Sequence, residues 1–318
     1  MDIRAILMGL AFALMWSSAF TSARIIVADA PPLSVLAIRF AISGTIAIAI
    51  AWAIGQSWRL TAAQWRATLI FGLCQNAAYL GLNFVAMQTI EASLAAIIAS
   101  SMPLLVALAG WLVFKQPVPA LGVAGLLGGF LGVALIMGTR IKAGADFTGL
   151  ALSVLGVIVL AIATLSVRNV ASGKNILMMI GFHMWIGAAV LAVIALATET
   201  WQVSYSWSWL AAFAYTILVP GLAATWLWFV LVGRIGAVKA ATFHFLNPVL
   251  GVAIAAVLLA TLVAFGFGWI LNRKRKNYDE LFLKLGSKVP NTNRFQYAFC
   301  NTLRCFYFFI FIYLIYLG

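Results

Sequence analysis

Apolar runs of about 20 residues recur along this chain, each closed by a short polar break. That length and spacing predict membrane-crossing helices, not the weak alternation of an outer-membrane barrel. Nine spans are expected, over residues 5–27, 33–54, 67–87, 92–114, 120–139, 148–167, 177–198, 209–232 and 238–259. Arg4 ahead of the first run, with Ser22 and Ala23 near its end, also fits a secretory signal. The run exceeds the roughly 7–15 apolar residues of a signal core, so it is read as a span.

The pattern occurs twice. At one fixed offset Ile90 falls on Ile235, Ala92 on Ala237, Ala95 on Ala240, Ala96 on Ala241 and Pro103 on Pro248. Spans one to five and six to ten then form two copies. Five is odd, so the second copy enters the membrane from the opposite side, and such inverted repeats place a substrate site near the midplane between them. The expected organisation is a first five-helix repeat over 1–140, a second over 141–271 that is incomplete at its end, and an atypical tail over 272–318.

Composition supports the class: 65% of residues are apolar and 8% charged, with mean hydropathy +1.08. A soluble domain has about 25% charged residues, so this chain cannot cover itself with a polar surface and its environment is a lipid bilayer. The net charge of +13 does not indicate nucleic acid. Basic residues in a membrane protein sit in loops as orientation signals. With the N terminus inside, the inner loops hold Arg4, Arg59, Arg66, Lys115, Arg168, Lys174, Arg234 and Lys239 against Arg24, Arg140 and Lys142 outside. That eight-to-three bias predicts a multi-pass inner (plasma) membrane protein with a cytoplasmic N terminus. Cys74, Cys300 and Cys305 form no disulfide framework and, without histidines, a poor metal site.

The segments W-S-S-A-F-T-S-A-R (16–24), P-P-L-S-V-L-A-I-R-F (31–40), A-A-T-W-L-W-F-V-L-V-G-R-I-G-A-V-K-A (223–240) and L-N-P-V-L-G (246–251) resemble an EamA-type transporter of the drug/metabolite transporter superfamily. The resemblance covers residues 1 to about 259. It implies an all-α, ten-helix-type bundle of two inverted five-helix repeats around a central cavity. It also implies export of amino acids, related metabolites or toxic compounds. Gln116 and Thr261 stand where the family usually has glutamates. The tenth span is truncated or replaced: Ala260 to Leu271 gives twelve apolar residues, about 18 Å of helix, before Arg273-Lys274-Arg275-Lys276. An aromatic run over 303–317 follows, and the shift in composition suggests a foreign or frameshifted C terminus. A transporter-derived product that is inactive or misassembled, or a channel-like pore, stays open beside the transporter.

Candidate chemistry lies where polar and aromatic groups fall inside spans. Trp16, Asn76, Tyr79, Trp185, Trp226, His244 and Asn247 are candidates for substrate contact, since a few hydrogen-bonding groups among aromatics suit an amphipathic metabolite. His183 and Thr225 stand beside two of the tryptophans. Arg39 lies well inside span two, where it either snorkels to the interface or meets a substrate carboxylate. Pro103 and Pro248 lack an N–H and predict helix kinks in repeat-related spans. Glu91 is read as structural, at a helix start. Gly125, Gly128, Gly129 and Gly132 in span five permit close packing, including a homodimer. There is no carboxylate pair inside the spans, no H-E-x-x-H, no G-x-S-x-G and no phosphate loop, so the chain reads as no enzyme and needs no cofactor.

Overall fold

The computed structural model describes residues 2–115, 146–171 and 173–247, with isolated positions from 124 to 135 and from 249 to 254. Predicted span five with its glycine spacings, Pro248, the end of span nine and the tail from 255 lie outside the described residues. Among the described residues the protein is all helix and turn, and seven helices have the length and apolar character to cross a membrane. They are Ile3–Ala28, Pro32–Ala53, Ala62–Ala86, Ala92–Leu112, Phe147–Ser166, Ile176–Thr198 and Trp207–Ile235, which are spans one to four and six to eight. Span nine begins with Ala237–Ala241 and tightens to a 3-10 turn over Thr242–Leu246.

One expectation is corrected. Span three starts at Ala62, five residues before the predicted Ala67. The Thr61 hydroxyl accepts the Gln64 N–H at 3.2 Å while the Gln64 side chain accepts the Thr61 N–H at 3.0 Å. This capping box makes a first helical turn of residues whose polarity reads as loop. Span four divides near the proline expected to kink it, into Ala92–Ala99 and Met102–Phe114, with Pro103 in the first turn of the second piece. There Pro costs nothing, because an N–H in that turn has no helical partner. The Ser100 and Ser101 hydroxyls donate back to the carbonyls of Ile97 and Ile98 at 2.5 and 2.7 Å.

The repeat is visible in where elements begin. Span three starts at Ala62 and span eight at Trp207, 145 positions apart; spans four and nine start at Ala92 and Ala237, again 145 apart. Both spans three and eight carry a wide, π-helical stretch, Gly72–Leu80 and Ile217–Ala223, whose starts keep the same spacing. The repeat-equivalent spans two and seven run antiparallel, the relation an inverted repeat requires. They cross at Gly44 and Gly181: a Cβ on either would stand 3.0 Å from the carbonyl oxygen of the other.

Both ends of this pair are tied. At one end the Glu199 carboxylate accepts the N–H groups of Leu33 and Ser34 at 2.9 and 2.8 Å and the Ser34 hydroxyl at 2.7 Å. These amides open span two and have no helical acceptor, so a carboxylate there satisfies orphan donors and meets the positive end of the helix. At the other end the side chains of Gln56 and Asn175 accept the N–H groups of Met178 and Ser57 at 3.1 and 3.2 Å. Glu199→Ala should destabilise the protein by about 1–2 kcal/mol and lower its melting temperature in detergent, with Glu199→Gln intermediate. An unchanged melting temperature in Glu199→Ala would mean that water replaces the carboxylate without loss.

Candidate functional site

The polar side chains in the spans converge on two adjoining cavities. The first is lined by Trp16, Phe20, Arg39, Gln75, Asn76, Tyr79, Asn83, Phe84, Met184, Gly221 and Thr225 among others, and lies toward the Glu199 end. The second is lined by Phe12, Phe71, Met102, Thr164, Trp228 and His244 and lies toward the opposite end. Trp16, Gln75 and Thr225 belong to both walls, so they form the septum. The first cavity leaves about 30 Å³ for the centres of water molecules and the second about 10 Å³. At about 10–15 Å³ per water the first holds two or so and the second one. Both spaces are narrow.

Aromatic contacts set the septum. The Trp16 ring lies parallel to Tyr79 with centroids 6.4 Å apart and meets His244 edge-on at 5.7 Å. Phe12 and Trp228 complete the cluster, at 5.2 and 5.1 Å from His244. Ser17, next to Trp16, donates its hydroxyl to Asn247 Oδ1 at 3.1 Å.

The two wide turns carry the polar geometry. In span eight Pro220 lies inside the wide turn and supplies no N–H to it, and the Thr216 carbonyl stands at the start of that turn. Arg39 Nε donates to that carbonyl at 3.2 Å, and the Ser43 hydroxyl donates to the next one, Ile217, at 3.3 Å. In span three Asn76 sits in a notch at Gly187, where a Cβ would come within 2.4 Å of the Asn76 Cβ. Its amide donates both to His183 Nδ1 and to the His183 carbonyl, each at 2.9 Å. Since Nδ1 accepts, the ring proton is assigned to Nε2, which has no hydrogen-bond partner among the described residues. Asn83 Nδ2 donates to the Tyr79 carbonyl at 3.0 Å, leaving its Oδ1 without a partner among them.

Of the predicted residues, the structure brings Trp16, Arg39, Asn76 and Tyr79 to the first cavity and His244 to the second. Asn247 is fully buried beside Ser17 but lines neither. Trp185 and Trp226 are corrected: they are 47% and 45% exposed on the outer face of the bundle. Two positions along a helix turn about 200°, so His183 and Trp228 face inward while Trp185 and Trp226 face out. Arg39 does not snorkel; it is 3% exposed. Sequence reasoning missed Pro220, Ser43, Phe12 and Trp228. A proline in the middle of a 29-residue apolar helix was the available signal for the first.

Residues 3–138 match the EamA-like transporter family. An uncharacterized transporter of Bacillus subtilis, YvbV, is 26% identical over 250 residues, 77% of this chain and 81% of its own length. An uncharacterized transporter of Synechocystis, sll0355, is 25% identical over 273 residues, covering 77% of this chain and 79% of its own. One solved crystal structure superposes with a TM-score of 0.64 at 23% identity, covering 81% of this chain and 89% of that one; at that identity it speaks to the fold. The described helices and these matches agree on a multi-pass membrane protein that is similar, over residues 3–138, to the EamA-like transporter family.

Proposed function

We propose that the protein is a secondary transporter that exports a small amphipathic metabolite across the inner membrane, with its N terminus in the cytoplasm. The observation that carries this reading is the pair of cavities separated by Trp16, Gln75 and Thr225. A site shared by two half-cavities at the junction of inverted repeats suits alternating access, in which one side opens as the other closes. A continuous pore would need a wider passage than two or so waters. Polar groups and flat rings around the septum suit an amphipathic cargo.

Coupling follows from the charges. Proton-driven carriers commonly use carboxylates inside the membrane, and Asp2, Asp29, Glu91, Asp146 and Glu199 all stand at span ends. Facilitated transport or exchange is therefore the expected mode, with weak coupling through His183 or His244 as the alternative. The test is a transport screen in proteoliposomes with amino acids and cationic drugs, each with and without a pH gradient. Counterflow of a compound without a gradient supports exchange. Steep uphill accumulation driven by pH and abolished by Glu91→Gln would move the coupling to Glu91. Absence of both transport and binding across the screen would favour an inactive transporter-derived product.

A further inference from the structure

We propose that Arg39 is the carboxylate-binding residue of the first cavity, and that the cargo is a small monoanion with an aromatic body; this deepens the transporter reading and rests on it. Arg39 lies inside span two, is 3% exposed and lines the cavity. A guanidinium stays charged in a protein, and a charge placed within the membrane needs a partner. Among the described residues no carboxylate pairs with it; the Phe40 ring centroid lies 5.1 Å from its guanidinium carbon. Of its seven acids, Asp2, Asp29, Glu91, Asp146 and Glu199 stand at span ends, and Asp279 and Glu280 lie outside the described residues. The one hydrogen bond found for the guanidinium among the described residues, Nε to the Thr216 carbonyl, uses one of five donors.

The surroundings leave the remaining donors within reach of a ligand. A terminal nitrogen of Arg39 stands 3.6 Å from where a Cβ on Gly221 would be, and Gly221 faces the cavity. A glycine there leaves open the edge through which a carboxylate would meet the fork. Arg39 is the single cation among the described residues lining this cavity, which selects one negative charge rather than two. Its repeat counterpart, 145 positions on, is Met184, also in the wall. The charge is therefore one-sided: an anionic end at Arg39, and an apolar body toward Met184 and the parallel Trp16 and Tyr79 rings.

A purely structural Arg39, serving only the Thr216 carbonyl, would weaken all ligands alike when replaced. Carboxylate recognition changes a ratio. The full chain is titrated with 3-phenylpropionate and with its neutral isostere 3-phenylpropionamide by isothermal calorimetry. Wild type should bind the acid about tenfold or more tightly over the amide. Arg39→Gln should bring the ratio to about one while amide affinity stays within about twofold; Arg39→Lys, which keeps charge without the fork, should retain a preference of a few fold. Equal binding of acid and amide by wild type overturns the proposal, as does a ratio that survives in Arg39→Gln. If Arg39→Gln fails to fold, the wild-type ratio and Arg39→Lys decide. If wild type binds neither compound but binds phenethylamine, the cavity reading stands and the carboxylate falls; if it binds none of the three, both fall.

Discussion

Gly181→Val should be among the most destabilising single substitutions in the spans. A Cβ at Gly181 would come within 2.4 Å of Ile48 Cγ1, 3.0 Å of the Gly44 carbonyl oxygen and 3.1 Å of the Ile48 N. Ile48 could turn its side chain away, but the other two atoms are backbone of the facing helix. Relief requires spans two and seven to move apart, and these repeat-equivalent helices carry close packing between the two halves. Without a hydrophobic drive between helices in lipid, small residues at the crossing are what permit that packing. Overpacking of this kind costs about 1–3 kcal/mol, and valine's two further methyls place it at the upper end. Thermal denaturation in detergent measures it, with Leu196→Ala, on the same helix but 87% exposed, as a control that should change little. Equal melting temperatures for the two variants would show that the crossing is loose.

Trp16→Ala should have the largest effect on transport. Trp16 is the aromatic member of the septum, held by Tyr79, His244 and Phe12. Its removal merges the two cavities and deletes the flat surface that an aromatic cargo would stack on. Such ring contacts contribute about 0.5–1.5 kcal/mol each beyond burial, so losing two, about 1–3 kcal/mol, predicts a fall in uptake of about fivefold or more at limiting substrate. Trp16→Phe, which keeps a ring, should recover part of it. Membrane insertion and yield should match wild type, since lipid-facing residues are untouched. Wild-type rates in Trp16→Ala would remove the septum from the transport path.

The apolar spans and their order were legible because both rest on the run length of apolar residues, which burial in lipid enforces directly. The face of a residue was not. In a soluble helix polar residues mark the outside, but spans seven and eight are apolar all round, so Trp185 and His183 look equally central until neighbours are placed. Asn76 and Tyr79, both candidates for substrate contact, do reach one cavity. The reason each is held there, Gly187 beside Asn76 and a ring stacked on Tyr79, involves residues far away in the chain. Arg39 could be placed by depth but not by environment: its acceptor, the Thr216 carbonyl, lies in another span.

The two wide turns bear on how these helices tolerate lost or gained residues. A π-helical turn is an α-helix with a residue too many, accommodated by hydrogen bonds that reach one position further. Deleting one residue on the lipid side of such a stretch, for example Leu73 or Leu218, both well exposed, restores the ordinary ladder instead of breaking it. The two halves of the span then keep their faces, because the wide turn had already absorbed the extra residue. Ordinary α-helix elsewhere in the bundle has no such slack, because a missing residue there must be absorbed by the packing. Spans three and eight therefore hold, at matching places in the two repeats, the positions where chain length itself can vary while the helix persists.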